Sequence, residues 1–380
     1  MGVRPLVYLA KSGTACHAPA FAHFPKEESV KTILSFCLLG IFAVALAWPA
    51  RACDLCGCYT PQLETLSSGE TAGLAGTRYA WARGLYGAVS EQFTHFGTLQ
   101  LDGNEVSNPT HQHLDSSITQ LVAGYSVNEH LAFQINLPLI YRSFQRPEGF
   151  TIDRGTVSGP GDLSLLGKFV LFHLESGGGR EVNFDDPKSP HMVVHEPDFT
   201  FSGVFISGVK FPTGDTSRLK EEFNEVEVEG APESGIHGHD LTLGTGSYDG
   251  IFGGQLALRY KNLFFSQELQ FTLRGDGAHQ YHFANDLSWS GGPGYYLMRK
   301  PNAIVGIQAI ISGEYKDVDR FRGDVAPDTG ITSVFAGPRL LVSLGRMSAE
   351  LGAEFPLSIE NTALQVVPDY RISGAITFRY

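Results

Sequence analysis

Tyr370–Tyr380, the carboxy-terminal stretch Tyr-Arg-Ile-Ser-Gly-Ala-Ile-Thr-Phe-Arg-Tyr, decides the fold. Its side chains alternate with a period of two, as in a β-strand, where successive side chains point to opposite faces. One face carries Ile372, Gly374, Ile376, Phe378 and Tyr380, and the other carries Arg371, Ser373, Ala375, Thr377 and Arg379. An edge strand of a soluble sandwich can show this pattern, with its arginines in water. Such a strand rarely ends on the aromatic residue itself, so the pattern favours a different kind of sheet.

A last amphipathic strand that ends in an aromatic residue resembles the assembly signal of bacterial outer-membrane β-barrels. In such barrels the last strand pairs with the first, which removes the exposed edge of the sheet. The resemblance implies that Phe378 and Tyr380 are recognised by the barrel assembly machinery. It also implies that outer-membrane lipid and lipopolysaccharide surround the folded chain.

The composition agrees with many strands joined by turns. The chain has 380 residues, of which 44 are glycine, 40 are phenylalanine or tyrosine, and only 18% are charged. A barrel strand meets lipid at every second residue only, so no long apolar run is expected after the amino-terminal region. The formal net charge of -12 argues against nucleic acid as a partner, because phosphate binding requires a basic face.

The amino-terminal region predicts a secretory signal peptide. Residues 33–48 form an uncharged apolar run that follows Lys31 and precedes Ala50-Arg51-Ala52, which is the order of regions in a cleaved leader. We expect cleavage after Ala52, so that residues 1–52 are a leader whose true start is Val30, read as an initiator. Residues 53–76 are then a periplasmic cysteine-rich segment and linker, and residues 77–380 form the barrel.

The predicted mature chain begins with Cys53, Cys56 and Cys58, and three interpretations of these thiols remain open. Cys53 directly follows a small residue and can carry a lipid. Two of the three can form a disulfide, as is common in exported proteins. Three thiolates within six residues can also bind copper(I) or zinc. All five cysteines lie within the first 58 residues, so the predicted barrel contains none.

Twelve segments downstream alternate in the manner of strands, and an even number is expected of a bacterial barrel. They are Trp81–Phe96, Leu114–Val127, Leu131–Phe144, Asp162–Leu174, Asp198–Phe211, Gly250–Tyr260, Leu263–Leu273, Phe283–Leu297, Ala303–Tyr315, Ser333–Leu344, Met347–Pro356 and Tyr370–Tyr380. The sequence therefore predicts an all-β, antiparallel, up-and-down transmembrane barrel of about twelve strands.

The alternation also predicts which side chains line the lumen. Arginine or lysine on the lipid face costs about 2–4 kcal/mol near the midplane, so the apolar face of each strand must point outward. The predicted lumen residues are Lys168, Lys210, Arg259, Glu268, Arg339, Glu350, Glu354, Arg371 and Arg379.

The lengths of the connections predict the orientation. Residues 126–129, 261–262, 298–302 and 345–346 are short and are expected in the periplasm, whereas the other connections, including 145–161 and 357–369, are expected as long outer loops. Residues 175–197 break the rule, because they are long where a periplasmic turn is expected. Either they form a true excursion or a strand pair is misread.

Histidine pairs in the predicted outer loops are candidate metal ligands. His111 with His113, and His237 with His239, have the His-x-His spacing that can hold copper or zinc with both imidazoles on one side. The largest predicted loop, within residues 212–249, is rich in glutamate. Such a loop is expected to be solvated and mobile; alternatively it attracts cations or bridges lipopolysaccharide through divalent ions. No nucleophile motif of a hydrolase is present, so we expect a protein that is not an enzyme.

Two further segments resemble a known family. Residues 209–215 read Val-Lys-Phe-Pro-Thr-Gly-Asp and residues 243–249 read Leu-Gly-Thr-Gly-Ser-Tyr-Asp, while Gly159-Pro160-Gly161-Asp162 precedes the fourth strand. These elements are similar to those of outer-membrane proteins associated with meta-pathway phenol degradation. The resemblance implies a channel or transporter for a small, aromatic or apolar solute. The Cys-x-x-Cys-x-Cys start departs from that family and is similar to that of exported barrel proteins with a cysteine-rich mature terminus. The alternative function is a copper- or zinc-trafficking outer-membrane protein that uses Cys53, Cys56 and Cys58 with the loop histidines.

Overall fold

A computed structural model describes residues 84–183, 191–195, 197–224, 228–300 and 303–380. Twelve long strands form one sheet. They are β1 (Gly84–Leu101), β2 (His113–Ser126), β3 (Leu131–Glu148), β4 (Leu163–Ser176), β5 (Phe199–Phe211), β6 (Asp249–Tyr260), β7 (Leu263–Leu273), β8 (Asp286–Lys300), β9 (Ala303–Lys316), β10 (Ile331–Leu344), β11 (Met347–Asn361) and β12 (Leu364–Arg379). Each pairs antiparallel with its neighbour in sequence, and β12 pairs antiparallel with β1. The predicted twelve-stranded antiparallel barrel is confirmed.

The last strand closes the barrel as its sequence predicts. Its register on β1 pairs Thr377 with Ala88 and Ser373 with Gln92. The backbone N–H of Tyr380 donates to the carbonyl of Leu85 over 2.9 Å. These pairings satisfy the backbone groups of both edges, which cannot stay unpaired in lipid.

The alternation along each strand separates a lipid face from an inner face. In β12, Ile376 is 56% exposed on the outer face, whereas its neighbours Ala375 and Thr377 are buried on the inner face. Leu351 and Phe355 in β11 are likewise exposed by more than half. Apolar side chains thus face outward, as expected from the free-energy cost of placing charged side chains against lipid.

We call the end of the barrel with tight turns between strands the turn end, and the opposite end the loop end. The long connection between β4 and β5 contains two short strands, Gly179–Asn183 and His191–His195, which pair with each other as a separate hairpin. It is therefore an excursion from the wall and not a misread pair of wall strands.

Two predicted outer loops are instead strands. Residues Thr151–Pro160 form a strand that pairs with the loop-end half of β3. The prediction of a loop over residues 357–369 is wrong, because β11 and β12 extend into this range and only residues 362–363 join them. Their mutual pairing ends at Glu354 and Arg371. Pro356 and Pro368 follow the point of separation, and proline has no N–H to give to a ladder.

Short elements complete the loop end. Strand Asn104–Glu105 pairs with β1, and Tyr281–His282, Asp319–Phe321 and Asp324–Ala326 form a small separate sheet. Three 3₁₀ helices, Ser217–Phe223, Ala278–Gln280 and Pro327–Thr329, and one short α-helix, Gly238–Leu241, lie in the connections. Among the residues described, no helix is long and apolar enough to cross a membrane.

The connection between β5 and β6, residues 212–248, folds into the barrel, and we call it the lumen loop. Its residues Ile236 and Leu241 are completely buried. They pack against inner-face side chains of several wall strands, including Phe96, Leu114 and Phe144. The acidic loop that was expected to be solvated and mobile is therefore largely an internal element, and its apolar residues supply the core of the loop-end half.

The closure between β1 and β12 can be tested with a cross-strand disulfide. The predicted barrel lacks cysteine, so Ala88→Cys with Thr377→Cys, in a chain whose Cys53, Cys56 and Cys58 are serine, introduces one directly opposed pair. Because opposed Cβ atoms lie about 4.5–5.5 Å apart, we expect an intramolecular disulfide under oxidising conditions. Gel mobility after denaturation without reductant measures it.

The matched control is Ala88→Cys with Ala375→Cys, in which the second cysteine is displaced by one inner-face position. Diagonal neighbours are about 7–8 Å apart, so this pair is expected to remain reduced. Equal crosslinking of both pairs would contradict the register.

Candidate functional site: the lumen and its loop

The ends of the lumen loop rest on a chain of buried charges, which we call the root cluster. Its members are Asp162, Lys210, Asp249, Arg274 and Asp286. Lys210 Nζ lies 2.8 Å from a carboxylate oxygen of Asp249 and 3.3 Å from one of Asp162. Arg274 joins Asp249 to Asp286, with distances of 2.8 and 2.5 Å. Every member is buried, so each charge depends on its neighbours in place of water.

Asp162 connects this cluster to both ends of the loop. One carboxylate oxygen accepts the backbone N–H of Gly214, and the other accepts the N–H and the hydroxyl of Thr245, all over 2.9 Å. Gly214 and Gly244 come so close that a Cβ on Gly244 would lie 2.8 Å from the Cα of Gly214. The structure thus brings together the three segments on which the family resemblance rests.

Polar side chains outside the loop also hold it. Arg142, on the inner face of β3, is fully buried and donates to the carbonyls of Asp240 and Thr242 over 2.7 and 2.5 Å. Gln112, in the connection before β2, donates to the carbonyl of Glu233 over 2.9 Å and accepts the N–H of Gly235 over 2.8 Å. These bonds anchor the middle of the loop and the segment that leads to its second end.

A histidine pair lies within the loop. The rings of His237 and His239 stack with centroids 5.6 Å apart. His239 is buried, and its two ring nitrogens lie 3.1 Å from Glu222 and 3.3 Å from Asp240. His237 lies 3.2 Å from Asp328 of the β9–β10 connection. Each ring thus pairs with a carboxylate, and the pairs join the loop to itself and to a neighbouring connection.

The environment shifts the pKa values of His239 and Glu222 in opposite directions. Burial lowers the pKa of His239, but the carboxylates of Asp240 and Glu222 outweigh it and raise the pKa well above 6.5. Burial raises the pKa of Glu222, but the hydrogen bond and charge of His239 outweigh it and lower the pKa to about 2. A charged imidazolium–carboxylate pair therefore holds the loop in its folded position.

A second layer of polar contacts lies on the side of the lumen that is opposite the root cluster. Arg371 donates to Glu314 over 3.0 Å and lies 4.1 Å above the ring of Phe335. Ser333 donates to the same carboxylate, and Ser312 donates to Glu354. All of these side chains are buried, so this side of the lumen is filled by packed polar and aromatic groups.

Towards the turn end, four charged side chains alternate in sign, and we call them the charge bridge. They are Lys168, Glu268, Arg339 and Glu350, from β4, β7, β10 and β11. Glu268 lies within electrostatic reach of the other three and accepts a hydrogen bond from Gln255 over 3.1 Å. Arg339 and Glu350 are 3.9 Å apart, with side chains 12% and 25% exposed. Because these side chains face inward in a closed wall, this exposure is to the lumen.

All nine lumen residues predicted from the sequence lie on the inner face. Lys210 belongs to the root cluster, and Glu354 and Arg371 belong to the second polar layer. Arg259 donates to the carbonyls of Pro197 and Lys261 at the turn end, and Arg379 lies in β12 opposite Tyr86. The remaining four are the members of the charge bridge.

The predicted metal ligands are not brought together in one place. His113 Nδ1 lies 3.0 Å from the carbonyl of His111, at the loop end, whereas His237 and His239 lie in the lumen loop. Within the described ranges, no three side chains of His, Cys, Asp or Glu form a group that could hold a metal ion. Cys53, Cys56 and Cys58 lie outside the described residues, so copper or zinc binding there stays a prediction.

Several residues on which the site depends are not among the site residues predicted from the sequence. They are Arg142, Asp162, Asp249, Arg274 and Asp286. Three of the five lie at the ends of predicted strands, where the alternation of polar and apolar residues gives no reason to expect burial. The signal that was available is the acidic residue that closes each glycine-containing segment, namely Asp162 after Gly161 and Asp249 after Tyr248.

Comparisons with known proteins support the fold. No protein-family model and no curated protein matches the sequence. Among solved structures, the COG4313 outer membrane channel from Pseudomonas putida F1 is similar with a TM-score of 0.50 and 13% identity, over 78% of this chain and 96% of that chain. A FadL homologue of Pseudomonas aeruginosa covers 82% of this chain and 93% of its own, with a TM-score of 0.30 and 10% identity.

The translocator domain of the autotransporter NalP from Neisseria meningitidis is also similar, with a TM-score of 0.35 and 11% identity, over 78% of this chain and 88% of that chain. The closed twelve-stranded wall agrees with the likeness to the COG4313 channel. The chain has the fold of an outer-membrane β-barrel. The first wall strand begins at the turn end of this barrel, and the carboxy terminus lies there too; the predicted position of this end in the periplasm stays a prediction.

Replacing the charged Lys210 of the root cluster with an uncharged residue is expected to have a large effect on the stability of the barrel. Lys210→Met is expected to destabilise the barrel by about 3–5 kcal/mol, because it leaves the carboxylate of Asp162 buried without its cation and that of Asp249 with Arg274 alone. Urea unfolding in lipid vesicles, followed by tryptophan fluorescence, measures the change. Lys300→Met removes an exposed lysine at the turn end and is expected to change stability little. Equal effects of the two substitutions on unfolding would show that the root cluster does not contribute to stability.

The pair of His239 and Glu222 predicts that the docking of the loop depends on pH. The contribution of His239 is complete below pH 6.5 and is lost as pH rises through its higher folded pKa. The contribution of Glu222 is complete above pH 4.5 and is lost as pH falls towards about 2. Docking is thus strongest between these limits and weakens at alkaline pH. His237, Asp240 and Asp328 face the same pair and are expected to broaden the transition.

Trypsin cleavage after Arg218 and Lys220 reports on this docking. We expect slow cleavage at pH 6 and faster cleavage at pH 9–10, after correction for the activity of trypsin with a soluble peptide of the same sequence. In His239→Gln, cleavage should be fast at both values. A variant that keeps the wild-type pH dependence would rule out the histidine as its cause.

Proposed function

We propose that this protein is an outer-membrane channel for a small solute, with the lumen loop as its gate. The observation that carries the proposal is the exposure of Arg339 and Glu350 inside a closed wall. Charged side chains can be exposed there only to water, so a small aqueous chamber lies beside Arg339 and Glu350, whereas Lys168 nearby is buried. A barrel that served as a membrane anchor alone would have no need of such a chamber.

The lumen loop has the properties that a gate requires. It blocks the loop-end half through apolar contacts of Ile236 and Leu241. Its root is rigid, because both ends bind Asp162. Its middle is held by hydrogen bonds to Arg142 and Gln112 and by ion pairs with Arg146 and Asp328, which can be exchanged for water. The loop can therefore leave the lumen while its root stays in place.

The likeness to an outer-membrane channel of known structure adds support at the level of the fold. The aromatic or apolar solute implied by the family resemblance has no counterpart in the chamber, whose charged residues favour polar molecules. The alternative function, copper or zinc trafficking through Cys53, Cys56 and Cys58, depends on residues outside those described. Metal analysis of a triple Cys→Ser variant against wild type is the experiment that addresses it.

Removal of the gate should open the channel. The N–H of Leu243 donates to the carbonyl of Asp215 over 3.0 Å, so a short Gly-Ser linker can replace residues 217–241 without moving the root. We expect the conductance of this variant in planar lipid bilayers to exceed that of wild type several-fold, because the apolar plug is gone.

The control shortens a different hairpin at the same end. Replacing residues 147–152 with Asn-Gly retains the pair of Arg146 and Asp153 and removes the tip around Phe150, which is 74% exposed. Its conductance should match wild type. Heat-modifiable gel mobility shows whether the loop-deleted barrel is folded. If the barrel is folded and its conductance does not exceed that of wild type, both the gate and the channel are refuted.

A further inference from the structure

The charge bridge lies in the path of any solute that crosses the barrel. Lys168 is six residues nearer the turn end than Asp162, and Glu268 is six residues nearer than Arg274. At about 3.3 Å per residue, both lie roughly 20 Å along the strand from the root cluster. The bridge is thus a separate level of the lumen, below the loop and independent of its anchors.

The four charges also span the width of the lumen. Lys168 is on β4 and Arg339 is on β10, six strands apart in a wall of twelve, so they start from opposite sides. Glu268 on β7 starts midway between them and interacts with both. Long side chains from three sides therefore interact electrostatically across the lumen, and Glu350, which lies 3.9 Å from Arg339, completes an alternating series of two cations and two anions.

The neighbours of the bridge are polar. Gln134 and Asn136 on β3, Gln255 on β6 and Gln308 on β9 all point inward. Gln308 donates to Ser266, beside Glu268 on the same face of β7. Amide and hydroxyl groups of this kind can replace the water around a polar solute, whereas an apolar solute gains nothing from them.

We infer that the charge bridge is a selectivity filter for small zwitterionic solutes, such as molecules that carry one ammonium and one carboxylate group. This inference rests on the proposed channel function and specifies its substrate class. A passing solute must separate Arg339 from Glu350 and Glu268 from its cations. A zwitterion can replace both partners at once, because its carboxylate meets Lys168 or Arg339 while its ammonium meets Glu268 or Glu350.

A neutral solute of the same size cannot do this. It leaves each separated charge in a confined lumen without a partner, which is costly. A simple anion or cation replaces one partner only and leaves the other unpaired. The filter therefore favours molecules with both charges over molecules with one or none.

L-Alanine and lactamide provide a matched pair of probes, because both have six non-hydrogen atoms and only alanine is a zwitterion. Their rates of entry into proteoliposomes are measured by swelling, in wild type and in the variant that lacks residues 217–241. We expect alanine to enter several-fold faster than lactamide, and sodium benzoate to enter more slowly than alanine. The double variant Glu268→Gln, Arg339→Gln should lose the preference for alanine while it still admits lactamide.

Ion selectivity gives a second readout that does not depend on the solute. Under a potassium chloride gradient, Glu268→Gln should shift the reversal potential towards anion preference, and Arg339→Gln should shift it towards cation preference. Glu360→Gln removes an equal charge from an exposed position at the loop end and should leave the potential unchanged.

The results separate the two proposals. A loop-deleted barrel that conducts but admits alanine and lactamide equally, or admits benzoate best, would overturn the filter and leave the channel intact. A preference for alanine that persists in the double variant would also overturn the filter. A loop-deleted barrel that admits no solute would instead contradict the channel on which the filter depends.

Discussion

Closure of the sheet by its first and last strands is the constraint on which the rest of the structure depends. A membrane interior offers no hydrogen-bond partner to a free edge, so every backbone N–H and C=O in the wall must pair within the protein. The pairing of β1 with β12 meets this demand along both strands. Once the sheet is closed, the period of two assigns each side chain to lipid or to the lumen, and no later step can change that assignment.

Closure of twelve strands creates an interior that the wall cannot fill by itself. An eight-stranded barrel is just wide enough for its own side chains, whereas much larger barrels hold an open channel. Here the lumen loop supplies the missing volume at one end, and its buried Ile236 and Leu241 extend the core of the wall. At the other end, the charged side chains of Arg339 and Glu350 remain partly exposed. The division into a packed half and a chamber follows from the length of one connection.

Because the root cluster of the lumen loop is buried, each of its charges must have a partner of opposite charge. A single buried ion is strongly unfavourable, but an ordered chain of alternating charges gives each member a partner. Lys210 and Arg274 link three aspartates that come from three different segments of the chain. This arrangement fixes where the loop begins and ends, whereas separate hydrogen bonds, ion pairs and apolar contacts hold its middle. A rigid root with a releasable middle is what allows one segment to be both a core element and a gate.

The sequence by itself determined the wall. Its twelve strands, their register, the inward direction of residues such as Lys168 and Glu268, and the role of the terminal strand all follow from a local rule, the alternation of side chains against lipid. The tertiary structure alone decided the interior. The inward course of residues 212–248, the pairing of Asp162 with both ends of that loop, and the electrostatic interaction of Lys168 with Glu268 join residues far apart in the chain. Local periodicity carries no information about such contacts, because they depend on which segments the closed wall brings face to face across the lumen.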